Sequence, residues 1–80
     1  MDKVEKQLRK IPVKERVRVM GVMEKIFRRD FSGLHRKQLT GFKGIFRVRV
    51  GNYRIIYFDN GETIEFESVS RKNETTYNDL

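Results

Sequence analysis

Two short segments in the second half of this chain carry the pattern that most limits its fold. Apolar and polar side chains alternate over residues 45–50 and again over 53–58, and only a Gly-Asn dipeptide separates the two runs. An alternation with a period of two predicts a β-strand, and two strands joined by two turn-forming residues predict a tight antiparallel hairpin. The turn also sets the register, because it places Arg49 directly opposite Arg54.

The first part of the chain predicts two helices. Apolar residues recur at helical spacing over 2–11, and Pro12 ends that segment because proline cannot continue a helix interior. A longer amphipathic stretch covers 13–30, with its basic residues largely on the polar side. Its apolar side is expected to pack on the rest of the protein through six residues: Val17, Met20, Val22, Met23, Ile26 and Phe27.

The remaining segments predict a loop and a third strand. Residues 31–44 mix glycine, serine and threonine with isolated apolar residues, which favours a loop. Alternation resumes over 62–70, after the turn residues Asn60 and Gly61, and adds a third strand to a meander. The predicted fold class is therefore α+β: an N-terminal helical hairpin packed on a small antiparallel β-sheet, within one domain that spans residues 1–80.

The composition narrows the classes of function. Lysine and arginine outnumber aspartate and glutamate by 18 to 11, which predicts a polyanionic partner such as nucleic acid, although a solubilising surface gives the same excess. The chain has no cysteine, one histidine and no nucleotide-binding glycine motif, so neither a metal site nor a cofactor is expected. The charged amino terminus and the lack of a long apolar stretch predict a cytoplasmic protein without membrane contact.

Side-chain parity predicts a basic cluster on the sheet face that points away from the helices. Four arginines share that face: Arg47, Arg49, Arg54 and, if the third strand keeps its alternation two residues further, Arg71. The cross-strand pair of Arg49 and Arg54 costs up to about 1 kcal/mol, so the pairing needs a reason. One interpretation is a solvated face that Glu65 and Glu67 neutralise; the other is a cradle for phosphate groups, whose oxygens suit the planar guanidinium.

The sequence resembles the RelE family of bacterial and archaeal toxin–antitoxin systems over nearly the whole chain. The resemblance is carried by Leu39-Thr40-Gly41, by Phe46-Arg47-Val48-Arg49-Val50-Gly51-Asn52-Tyr53-Arg54-Ile55-Ile56-Tyr57, and by Val69-Ser70-Arg71 with Tyr77. It implies a toxin that cleaves messenger RNA in the ribosomal A site and that a cognate RelB-like antitoxin inhibits. Relatives that poison DNA gyrase share the hairpin, so a ParE-like gyrase inhibitor without nuclease activity and a non-catalytic RNA-binding module stay as alternatives.

The resemblance also assigns roles to five residues: Arg47, Arg49, Arg54, Arg71 and Tyr77. The three hairpin arginines would stabilise the extra negative charge on the phosphate, since a guanidinium stays protonated and cannot serve as a base. Arg71 would donate a hydrogen bond to the leaving oxygen. Tyr77 would deprotonate the 2′-hydroxyl, for which its pKa must lie well below 10; without the resemblance, a tyrosine that covers the edge of the core is the simpler interpretation.

Three features stand outside this pattern. Members of the family usually begin with a strand, whereas this sequence enters a helix at Asp2, so the sheet is predicted to lack the usual first strand. His35, the single histidine, is expected on the surface, with RNA contact as the alternative. Five basic residues of the second helix either contact ribosomal RNA or form a solvated face: Arg16, Arg18, Lys25, Arg28 and Arg29.

Overall fold

The computed structural model describes residues 2–39, 41 and 43–71. The elements in chain order are α1 (Asp2–Arg9), α2 (Val13–Phe27), β1 (Arg36–Gln38), β2 (Ile45–Val50), β3 (Tyr53–Asp59) and β4 (Ile64–Arg71). The strands form one antiparallel sheet in the order β1-β2-β3-β4, with every strand beside its neighbour in sequence. The predicted α+β fold is confirmed, and the described chain enters α1 without a preceding strand.

The hairpin of β2 and β3 has the predicted register. Arg49 pairs with Arg54 and Arg47 pairs with Ile56. Gly51 in the turn has a φ angle of 59°, in the left-handed region that a residue without a Cβ adopts at little cost. The Gly-Asn dipeptide therefore forms the tight turn that the sequence predicts.

The core lies between the helices and one face of the sheet. α1 packs on β4, and α2 packs on β2. From α2 the core receives Val19, Val22, Met23 and Ile26, which are spaced i, i+3, i+4 and i+7 and so form one stripe. At its centre Tyr57 is fully buried between strands. In the described part of the chain, neither helix is long and apolar enough to cross a membrane.

Only half of the predicted apolar side of α2 is buried, which corrects the sequence interpretation. Val22, Met23 and Ile26 pack against the core as expected. The side chains of Val17, Met20 and Phe27 are instead exposed, with 66%, 49% and 67% of their surface accessible. These three belong to a neighbouring stripe of the helix, because an α-helix advances about 100° per residue and a wide apolar side cannot all face the sheet.

The predicted loop over 31–44 contains strand β1, which is a second correction. Arg36 anchors this strand, since its guanidinium lies 4.0 Å from the ring centroids of both Phe31 and Phe46. The same group donates a hydrogen bond of 2.8 Å to the hydroxyl of Tyr57. Tertiary contacts, and not an alternating pattern, therefore hold β1 on the sheet.

A buried carboxylate, Asp59, ties the end of α2 and strand β1 to the sheet. Its side chain is 5% exposed and accepts hydrogen bonds from Arg29 Nη1 at 2.9 and 3.0 Å, from Arg36 Nη2 at 3.3 Å and from the backbone N–H of Gly61 at 2.8 Å. Burial alone would raise the pKa of Asp59, but the Gly61 hydrogen bond and the two guanidiniums outweigh burial and lower it. Arg29 has a φ angle of 61°, a conformation uncommon outside glycine, and the ion pair helps to hold it.

A β-bulge in β4 corrects the predicted placement of Arg71. Pairing with β3 is regular up to Phe66 and resumes at Ser68, which leaves Glu67 as an extra residue. Because one inserted residue shifts the side-chain parity, Val69 enters the core and Arg71 lies on the helix side of the sheet. Arg71 therefore does not share a face with the three hairpin arginines.

Candidate nucleic-acid interface

The sheet face that points away from the helices carries a compact cluster of cations. Arg47 and Arg49 occupy alternate positions of β2, so their side chains leave the same face, and Arg54 lies opposite Arg49 on β3. Strand β1 adds Lys37, which pairs with Arg47. We refer to these four residues as the basic face: Lys37, Arg47, Arg49 and Arg54.

The structure brings together three of the five predicted site residues. Arg47, Arg49 and Arg54 share the basic face, as the alternation predicts. Arg71 pairs with the core residue Tyr53 and lines a separate cavity of about 300 Å³ beside the end of α1. Tyr77 lies outside the described residues.

Lys37 is the member of the basic face that the sequence interpretation missed. Its segment was expected to be a loop, and a loop gives no side-chain parity from which a face can be assigned. The available signal in the sequence was the run of basic residues at 35–37. The pairing of Lys37 with Arg47 could not be inferred, because it depends on the tertiary contacts that anchor Arg36.

Two hairpin cations of the basic face, Arg47 and Arg49, have no acidic partner among the residues that the structure describes. The side chains of Arg47 and Arg49 make no ion pair or hydrogen bond with any residue that the structure describes. Burial, followed by the charges of Arg49 and Arg54, lowers the pKa of Arg47 below its ordinary value. The register of the hairpin holds these like charges close together, and a guanidinium still stays protonated at neutral pH.

The alternative interpretation, a face neutralised by Glu65 and Glu67, expected Glu67 beside Arg54, and the pairing of β4 contradicts that placement. The β4 partner of Arg54 is Ser70, because the bulge moves Glu67 out of the regular pairing. Glu65 pairs with Phe58, four residues along β3 from Arg54, which corresponds to about 13 Å. No ion pair joins either glutamate to Arg47 or Arg49 within the described ranges.

Four of the five basic residues of the second predicted helix have partners within the chain. Arg16 donates to the carbonyl of Ile11 at 3.0 Å and to that of Arg9, the last residue of α1, at 3.3 Å. The others bind as follows: Lys25 to the carbonyl of Ser32 at 3.0 Å, Arg28 to Glu24 at 2.9 Å, and Arg29 to Asp59. Arg18 differs, because its guanidinium lies at the hairpin turn. A Cβ atom added to Gly51 would be 3.3 Å from Nη1 of Arg18.

Comparisons with known proteins identify the family. No protein-family model and no curated protein matches the chain. A solved structure does match: the RelB–RelE antitoxin–toxin complex from Methanococcus jannaschii has a TM-score of 0.78 and 30% sequence identity, over 90% of this chain and 87% of that chain. The chain belongs to the RelE toxin family.

Family membership confirms the predicted resemblance and the RelE-like fold. The RelE-family hairpin is the part of the chain on which the resemblance depended most, and its register is the one that the Gly-Asn turn predicts. The position of Arg71 is not the one that the sequence predicts, because the bulge in β4 turns it away from the basic face.

Proposed function

We propose that this protein is the toxin of a type II toxin–antitoxin system and cleaves messenger RNA in the ribosomal A site, in the cytoplasm, without a metal ion. The observation that carries the proposal is the register of β2 and β3, which fixes Arg47, Arg49 and Arg54 on one face. A cluster of fixed guanidiniums suits the oxygens of a phosphodiester. Cleavage of message then inhibits translation.

The proposed chemistry uses the nucleophile that RNA itself carries. The 2′-hydroxyl loses its proton and attacks the adjacent phosphorus, the P–O5′ bond breaks, and the leaving 5′-oxygen takes up a proton. A crowded phosphorane with additional negative charge lies between these steps. The three arginines would stabilise that charge, and because strands hold them in place, little reorganisation is needed as the charge develops.

Two further residues complete the proposed mechanism. Tyr77 would act as the general base, and guanidiniums near the phenol would favour the phenolate by lowering its pKa. Arg71 would donate a hydrogen bond to the leaving oxygen. Since Arg71 is the last residue of β4 and its side chain starts on the helix side, it would have to reach around the end of the strand to meet the scissile phosphate.

A reconstituted translation reaction tests the proposal. Purified protein added to ribosomes that translate an end-labelled message is expected to cut the message within codons in the A site. The variant with both Arg49→Gln and Arg54→Gln should leave the message intact, whereas Lys6→Gln, which removes one exposed charge from α1, should cut like the wild type. Intact message with the folded wild type would refute nuclease action.

Two rival functions give different results in matched reactions. A ParE-like gyrase inhibitor would block supercoiling by purified gyrase and leave messages whole. A non-catalytic RNA-binding module would bind the message in a salt-dependent way and leave it uncut. The Tyr77→Phe variant separates binding from chemistry, because it is expected to keep RNA affinity and to lose cleavage.

We also propose a surface for the RelB-like antitoxin. The exposed stripe of α2 borders an apolar groove of about 660 Å³, lined by Leu8 of α1, by Met20 and Phe27 of α2 and by Phe66 of β4. Such a groove fits the apolar side of an amphipathic helix, and the open space above Gly21 allows close approach. The similar structure is a toxin bound to its antitoxin, which makes an antitoxin helix the occupant we favour.

A matched pair of variants tests this surface. Met20→Glu places a charge in the groove and is expected to weaken binding of a RelB-like antitoxin about tenfold, because a buried charge without a partner is costly. Lys14→Gln makes the same change in net charge at an exposed position on the polar side of α2, outside the groove, and should leave binding unchanged. Equal binding by both variants would place the antitoxin elsewhere.

A further inference from the structure

A second basic region adjoins the basic face at an open edge of the sheet. β1 reaches only to Arg36, which pairs with Val48, so residues 49–51 have no neighbouring strand on that side in the described structure. A cavity of about 800 Å³ opens there, between α2, the segment 33–37 and the hairpin turn. We refer to this cavity as the basic cleft.

Cations line the basic cleft, and no carboxylate does. The cleft is lined by six basic side chains: Arg18, His35, Arg36, Lys37, Arg47 and Arg49. Arg36 is held by Asp59 and Tyr57, so its charge is already used within the fold. The side chains of Arg18 and Lys37 make no ion pair or hydrogen bond with any other described residue. The cleft therefore presents positive charge that the fold leaves uncompensated.

The cleft and the basic face form one continuous surface. Lys37, Arg47 and Arg49 belong to both, since they line the cleft and also share the outer face of the sheet. Arg18 extends this surface from the sheet to α2, because its guanidinium lies against Gly51 at the tip of the hairpin. A polyanion on the basic face can thus pass around the edge of β2 and stay in contact with cations.

We propose that the basic cleft binds the backbone of single-stranded RNA next to the bond that is cut at the basic face. The proposal rests on the proposed function, because it takes the basic face as the place of cleavage. Single-stranded RNA fits for two reasons: a positive groove follows its phosphates, and its unpaired bases are free to stack on an exposed ring. His35 supplies such a ring in the cleft.

Two residues test the cleft without touching the basic face. Arg18 and His35 line the cleft and do not belong to the proposed catalytic set. Lys6 is the matched control, since it is exposed on α1, which packs on β4 at the far edge of the sheet from β1. Each of Arg18→Gln and Lys6→Gln removes one positive charge, so a difference between them reports position and not net charge.

The measurement is fluorescence anisotropy with a labelled 12-nucleotide RNA whose 2′-hydroxyls are all methylated, so that it cannot be cut. Arg18→Gln is expected to reduce the slope of log affinity against log salt by about 0.7, the loss of one phosphate contact, and to weaken binding about fivefold at 0.1 M salt. His35→Ala should weaken binding roughly tenfold through lost stacking, and His35→Phe should restore it. Lys6→Gln should bind like the wild type.

Three results would overturn the proposal. The first is wild-type affinity in both Arg18→Gln and His35→Ala. The second is an equal loss in Lys6→Gln, which would mean that binding follows net charge alone. The third is unchanged RNA affinity together with weaker binding of the antitoxin, which would assign the cleft to a protein partner. Because the RNA cannot be cut, these results are independent of nuclease activity, whose absence would show only in the translation reaction.

Discussion

Two groups of arginines, at opposite ends of the sheet, differ in what surrounds their charge. At one end Arg29 and Arg36 bind the buried carboxylate of Asp59. At the hairpin end Arg47 and Arg49 have no acidic partner among the described residues, and Arg49 faces another arginine across the strands. Charge paired with a buried acid supports the fold, whereas clustered like charge opposes it. The second group is therefore best explained by a ligand.

The largest expected effect concerns cleavage at the hairpin end. Arg47→Gln keeps most of the side chain's length and removes its charge, so we expect message cleavage to fall by about 100-fold or more, the usual cost of losing a fixed donor to a transition-state anion. The melting temperature should change little, because no described residue pairs with the Arg47 side chain. Rates measured at saturating ribosomes, with thermal unfolding in parallel, check both points. Normal cleavage would remove the functional explanation of the cluster.

The next effect concerns stability at the other end. Asp59→Asn leaves two guanidiniums without their acid and is expected to lower the free energy of unfolding by about 2 kcal/mol, or about 10 °C in melting temperature for a chain of this size. Cleavage per folded molecule should stay near the wild-type value. Urea unfolding followed by circular dichroism measures the change. A variant as stable as the wild type would show that this ion-pair network contributes nothing to the fold.

Acid should reduce the difference in unfolding free energy between the wild type and Asp59→Asn. Because the pKa of Asp59 is lower in the folded chain than its ordinary value, its contribution to stability is complete above about pH 4 and is lost as pH falls through the folded value. Wild type should therefore lose more stability than Asp59→Asn between pH 5 and pH 2. Unfolding curves across this range check the sign. A gap that widens in acid would contradict the low pKa.

The smallest effect is a gain in stability. Arg49→Gln removes the like-charge pair with Arg54, which should raise the free energy of unfolding by a few tenths of a kcal/mol. The gain should shrink in high salt, since salt screens repulsion between exposed charges. Calorimetry at low and high ionic strength measures both quantities. A loss of stability would mean that Arg49 serves the fold after all.

The sequence predicted the part of the site that depends on the hairpin turn and on side-chain alternation. The Gly-Asn turn and the alternation around it fix the register, so the common face of Arg47, Arg49 and Arg54 could be inferred without a structure. The bulge at Glu67 could not, because the surrounding residues continue to alternate and no glycine marks the break. An error of one residue in β4 was enough to put Arg71 on the wrong face.

Two other features depend on contacts between distant parts of the chain. β1 exists because Arg36 lies between two aromatic rings and binds Tyr57, and its own sequence carries no strand pattern. The split of α2 into a buried and an exposed stripe depends on how the helix meets β2. Lys37 and the apolar groove were missed for these reasons, since their positions follow from packing and not from periodicity.

One matched pair of substitutions tests most directly whether the clustered arginines serve cleavage and the paired arginines serve the fold. Arg54→Gln and Arg29→Gln each remove one guanidinium, the first from the basic face and the second from the group that binds Asp59. Cleavage of message by translating ribosomes is measured for both below their melting temperatures. We expect cleavage by Arg54→Gln to fall by about 100-fold or more and Arg29→Gln to cut like the wild type once folded, although it melts earlier. Equal cleavage by both variants, or loss of cleavage in Arg29→Gln alone, would contradict the account.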